Sequence, residues 1–81
     1  MTYQSKIIKD YESDGFLVLK MIRLNKSGFP DLLCLKNGEA VFIECKEEKD
    51  TLKPLQKLRI NQLREQGFKA MAMKKNKGII Y

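Results

Sequence analysis

Leu32-Leu33-Cys34-Leu35-Lys36-Asn37-Gly38-Glu39-Ala40-Val41-Phe42-Ile43 decides the fold of this chain. Two apolar runs around Asn-Gly are the strongest short-range signal for a β-hairpin, because a two-residue type I′ turn needs positive φ at both central positions. Such a turn also sets the register. Pairing proceeds outward from Asn37-Gly38, so Lys36 faces Glu39, Leu35 faces Ala40, Cys34 faces Val41, Leu33 faces Phe42 and Leu32 faces Ile43. Apolar side chains then point to both sides of the hairpin, which predicts a sheet covered on its two faces.

One step past this pairing, Asp31 comes opposite Glu44. Opposed residues have Cβ atoms roughly 5 Å apart, and like charges in that position are destabilising. One carboxylate can take a proton, or both can share a divalent cation, whose preference is for crowded oxygen ligands. Lys46 lies two residues beyond Glu44 and so emerges on the same face of the strand. Aspartate, glutamate and lysine would thus converge at the hairpin end away from the turn. Such a cluster is either an inert salt network or a metal-assisted site for phosphate chemistry, and the predicted geometry favours the site.

The flanking sequence supplies the rest of the sheet. Tyr3, Ile7, Ile8 and Tyr11 recur at helical spacing, predicting a helix from Thr2 to about Ser13 that stops at Gly15. Phe16 to Leu24 reads as a strand, and Asn25-Lys26-Ser27-Gly28 as a loop. Pro54 suits the first turn of a second helix running to Gln66, which Gly67 ends. A short strand from Lys69 to Met73 follows, then a basic and finally apolar tail. The expected order is α-β-β-β-α-β. Ile79-Ile80-Tyr81 is either a last strand of this sheet or an interface with a second copy.

Three helix positions are out of pattern. Gln4 falls within the apolar arc of the first helix, where a polar amide needs an interior partner. On the second helix Leu52, Leu55, Leu58, Ile60 and Leu63 define the expected apolar side, with Gln56 and Arg59 projecting into the same sector. Arg59 reads as an edge residue reaching outward, while Gln56 is equally a solvated amide or a site residue. Lys53, Lys57 and Arg64 are expected on the exposed face, either as a plain solvated surface or along a phosphate backbone.

Composition narrows the chemistry. The chain has 81 residues, 43% hydrophobic and 32% charged, as expected of one ordinary globular domain spanning 1–81. No apolar run is long enough for a spanning helix and no stretch reads as a signal peptide, so a cytoplasmic location is expected. Histidine is absent, which excludes His triads, His metal ligands and His acid–base catalysis. Cys34 and Cys45 are too few for a zinc site and read as small buried apolar groups. Sixteen Lys and Arg against ten Asp and Glu give +6, which favours a polyanionic partner.

Gly28-Phe29-Pro30-Asp31, then the hairpin, then Glu44-Cys45-Lys46 resembles the signature of the PD-(D/E)XK nuclease superfamily. The continuation Glu48-Lys49-Asp50-Thr51-Leu52-Lys53-Pro54-Leu55-Gln56 is similar to its VRR-NUC branch, in the stand-alone phage or bacterial type. The resemblance covers nearly the whole chain. It implies a restriction-endonuclease-like α/β fold, an α-β-β-β-α-β core with a central mixed sheet flanked by helices. It further implies Asp31 and Glu44 as ligands of Mg²⁺ or Mn²⁺, with the backbone carbonyl of Cys45 completing the inner shell. Lys46 would be the catalytic lysine and Gln56 the additional motif residue on the second helix. Where family members often carry a glutamate on the first helix this chain has Gln4, which can reach a metal only through a water and adds no charge. Glu12 lies roughly 80° round the helix from Gln4 and is expected toward solvent.

The implied activity is a metal-dependent endonuclease acting on branched DNA in replication, repair or recombination, for instance at junctions, flaps or splayed ends. Lys26, Lys49, Lys53, Lys57 and Arg64 are the expected DNA contacts. A homodimer is expected as well, since two active sites suit a junction and a small core gains from a partner. Two rivals stand beside this reading: a DNA-structure-binding module with weakened catalysis, and a regulatory protein using its basic face on another protein.

Overall fold

Positive φ at Asn37 (52°) and Gly38 (78°) builds the two-residue turn, and the computed structural model, which describes residues 1–81, forms the hairpin around it. Strand β2 (Leu32–Lys36) pairs antiparallel with β3 (Glu39–Lys46) in the register that the turn dictates, from Lys36↔Glu39 out to Leu32↔Ile43. Before it come helix α1 (Tyr3–Ser13) and strand β1 (Leu17–Lys20); after it come helix α2 (Pro54–Glu65) and strands β4 (Lys69–Lys74) and β5 (Gly78–Ile79). The sheet runs β1-β2-β3-β4-β5, with β3 and β4 parallel and the other neighbours antiparallel. It is the expected α/β core of a mixed sheet flanked by helices, with one further short strand. The tail is therefore part of its own sheet: β5 pairs with β4, and the Ile80 N–H donates to the Ala72 carbonyl at 2.9 Å.

Strand alternation gives the molecule two cores, one on each face of the sheet. Helix α1, whose Thr2 cap accepts from the Ser5 N–H at 3.1 Å, packs Ile7 onto Leu32, Cys34, Val41 and Ile43. Tyr3, Ile8, Tyr11 and the half-buried thiol of Cys45 join this core. Helix α2 covers the other face with Ile60 over Ala70 and Ala72, flanked by Phe42, Leu63 and Tyr81. Both cysteines are free, and burial pushes their thiols up, to about 11 at Cys34 and about 12 at Cys45, as inert apolar groups require.

Two elements depart from expectation. The first strand ends at Lys20 rather than Leu24. Met21 donates once more, to the Asp31 carbonyl at 2.8 Å, and then the partner chain becomes Phe29-Pro30, where proline offers no donor. The second helix is also rotated from the expected apolar side. Leu55 and Leu58 are 41% and 49% exposed, whereas Gln56, Ile60 and Leu63 turn toward the sheet. Gly28 explains part of the rotation. It has φ +85°, and a Cβ there would lie 2.6 Å from Leu55 Cγ, so the loop before Asp31 runs against the helix where only glycine fits.

Candidate active site at the open end of the hairpin

Four side chains meet at the sheet end away from the Asn37-Gly38 turn. Glu44 and Lys46 emerge from β3 on the α2 side, with Lys46 Nζ 3.4 Å from Glu44 Oε2. Asp31 sits immediately before β2, and its Oδ2 accepts the Cys45 N–H at 3.0 Å. That bond ties the residue before β2 to β3 just beyond their last strand pair. Gln56 comes from the first turn of α2. Its Oε1 accepts the Lys53 N–H at 2.9 Å, capping the helix, while its Nε2 reaches Glu44 Oε2 at 3.5 Å. One end of this amide thus caps the helix and the other touches the Glu44 carboxylate.

Glu44 is the electrostatic centre of this cluster. It is 4% exposed, and Lys46 is 8% exposed. Burial first, and the neighbouring Asp31 carboxylate second, push the Glu44 carboxyl up to about 7, with Lys46 pulling partly the other way. Glu44 Oε1 is buried with no hydrogen-bond partner. A buried, unpaired carboxylate oxygen costs about 1–3 kcal/mol or more unless a proton or cation meets it. The available donors are all oxygens, which suits a hard divalent cation. No third Asp, Glu, Cys or His side chain joins Asp31 and Glu44, so a cation here would need backbone oxygen and water to complete its shell.

The remaining expected residues divide. Gln4 is half-buried on α1, on the opposite face of the sheet from Glu44 and Lys46, and enters none of the hydrogen bonds of the cluster. Glu12 is exposed, as expected. Lys49 and Lys53 are exposed in the connection from β3 to α2, beside the cluster, and Lys26 lines a cleft of about 400 Å³ with Phe29 and Arg59. Lys57 sits over the Tyr81 ring at 5.7 Å. Arg64 is exposed, as expected, but its guanidinium is engaged within the protein. Its Nε donates to the Ala70 carbonyl and its Nη2 to the Tyr81 carbonyl, both at 2.9 Å, because the tail folds back across this side of the helix. Arg59 was expected to reach outward and instead donates to the Ser27 carbonyl at 2.9 Å while stacking on Phe29, clamping the loop that delivers Asp31. Helical spacing carried no signal for that clamp, since its partner is a loop carbonyl.

Comparison with known proteins agrees with this architecture. The family model of the VRR-NUC domain matches residues 4–76. A solved VRR-NUC domain superposes with a TM-score of 0.74 at 31% identity, covering 85% of this chain and 76% of that one. Hjc, a Holliday junction resolvase from the hyperthermophilic archaeon Archaeoglobus fulgidus, superposes with a TM-score of 0.67 at 17% identity, covering 88% of this chain and 65% of that one; at that identity the likeness is one of fold. No curated protein matches the sequence.

Proposed function

The chain belongs to the VRR-NUC domain family, and from that premise we propose that it is a metal-dependent endonuclease hydrolysing phosphodiester bonds in branched DNA. The observation that carries the proposal is the buried Glu44 carboxylate, flanked by Asp31, Lys46 and Gln56 and holding one oxygen without a partner. Asp31, Glu44 and the backbone carbonyl of Cys45 are the groups that would hold Mg²⁺ or Mn²⁺. When bound, a divalent cation supplies activation of the attacking water and neutralisation of charge at the phosphate.

The chain's own residues then divide the work. Lys46, held beside Glu44, keeps its ammonium where the attacking water and the phosphate oxygens would lie. Asp31 is oriented by the Cys45 N–H. Gln56 restrains the Glu44 carboxylate from the helix side and leaves its other oxygen free. Gln4 lies on α1, across the sheet from Glu44, and brings no charge, which favours a single tightly held cation. The branched substrate is supported by the fold shared with the archaeal Holliday junction resolvase, and a homodimer would place two such sites on one junction.

The test is cleavage of synthetic four-way junctions, flaps and linear duplex with Mg²⁺ or Mn²⁺. Wild type should cut the branched substrates in preference to duplex, and Asp31→Ala and Lys46→Ala should each lose at least 10²-fold in rate. Cleavage by either variant at the wild-type rate would sink the site assignment.

A further inference from the structure

Every acidic partner is missing from the lysines of the β4–β5 turn. The protein contains two ion pairs, Lys6–Asp10 and Lys46–Glu44, and neither includes Lys74, Lys75 or Lys77. These three cations lie within four residues of one turn, and like charges carried so near one another in the chain favour a polyanionic partner. The turn that holds them is well anchored. The Lys75 N–H donates to the carbonyl of Lys46 at 2.9 Å, the Lys77 N–H donates to Lys74 at 3.0 Å, and Asn76 Nδ2 reaches Glu48 at 3.4 Å. Lys74 is the strand neighbour of Lys46 itself. A cluster of like charge is therefore pinned directly to the backbone of the candidate catalytic lysine.

The surroundings continue the same surface. Lys75 and Asn76 form one wall of a cleft of about 370 Å³, whose other wall is the start of α1 with Thr2, Tyr3 and Lys6. The orientation of α1 shows that this end differs from the other. The Tyr3 N–H donates to Glu47 beside the site, while Lys36 donates to Asp14 at the far end, next to the hairpin turn. That far end carries Asp10, Glu12, Asp14 and Glu39. Lys74, Lys75 and Lys77 thus stand outside both ion pairs on the side of the fold where Lys46 lies, a side they share with the acids Glu47, Glu48 and Asp50.

We propose that the β4–β5 turn, through Lys74, Lys75 and Lys77, binds the phosphate backbone of the DNA strand flanking the scissile bond. The inference rests on the nuclease reading and adds a binding surface to it. Lys75 and Lys77 are exposed and act on binding, so their loss raises KM and leaves kcat at saturating DNA unchanged.

The experiment measures binding of a fluorescent four-way junction in EDTA between 50 and 200 mM salt, and cleavage kinetics with Mg²⁺. It compares wild type, Lys75→Ala/Lys77→Ala, and Lys9→Ala/Lys69→Ala, the last removing two lysines away from the turn. The turn variant should bind on the order of ten-fold more weakly, with the slope of log affinity against log salt shallower by about 2. The control pair should match wild type. Equal affinity and slope in the turn variant, with wild type binding and cutting DNA, would overturn this inference and leave the nuclease reading intact. Absence of DNA binding by wild type would overturn both. Thermal midpoints within a degree or two of wild type establish that the exposed substitutions leave the fold in place.

Discussion

Glu44 concentrates the chemistry of this protein in one carboxyl group. Its position opposite Asp31 follows from the two-residue turn, so the convergence of the two acids was legible in the sequence. Its burial was not, because burial depends on α2 folding back over β3. That burial raises its folded value from 4.5 to about 7. Between these values the metal-free folded state holds a proton that the unfolded chain has lost, so stability falls as pH rises through this window and is flat on either side. Glu44→Gln removes the titration. Thermal midpoints in EDTA should therefore show wild type losing ground to Glu44→Gln from about pH 4.5 to about pH 7, by a few kcal/mol at most. Parallel curves across that range would mean that Glu44 is not held protonated. Adding Mn²⁺ at pH 7.5 should raise the midpoint of wild type and not that of the variant, since a ligand stabilises only the state that binds it.

Helix α2 shows where periodicity misleads. Its leucines mark an apolar side, yet the sheet receives Gln56, Ile60 and Leu63 while Leu55 and Leu58 stay largely exposed. Contacts distant in sequence set that rotation: Gly28 against Leu55, Arg59 on the Ser27 carbonyl, and Arg64 on the carbonyls of Ala70 and Tyr81. None follows a helical repeat, so none could be read from spacing. Arg64→Ala should then behave as a folding variant. Losing two hydrogen bonds and the contact of its guanidinium with the Tyr81 ring, 5.1 Å from the ring centre, should lower stability by about 1–3 kcal/mol, measured by urea denaturation. Its affinity for DNA at low temperature, where it remains folded, should stay near that of wild type. A variant of unchanged stability with weakened DNA binding would restore Arg64 as a DNA contact.

Across the whole molecule, cover is uneven. Helix α1 closes its face of the sheet, whereas α2 lies over β3 and β4 only, leaving Leu17 60% and Leu19 44% exposed on the same face as Leu33 and Leu35. The proposed homodimer would use this uncovered half. A stable interface takes about 800 Å² from each partner, a modest share of the 5504 Å² this chain exposes, and it would cover leucines that a monomer leaves in water. Light scattering after gel filtration should give a dimer mass for wild type and a monomer mass for Leu17→Lys/Leu19→Lys. A monomeric wild type at tens of micromolar would end the dimer proposal, and a dimeric variant would move the interface elsewhere. What the sequence determined by itself was local: the Asn-Gly turn, the register it imposes, and the two acids and one lysine that this register brings together. Those follow from backbone geometry over a few residues. The tertiary structure decided how far Glu44 is buried, which cations are free and which are held, and which face of each helix meets the sheet. These depend on chain segments that meet only after folding, and the short, basic, histidine-free composition carries no record of them.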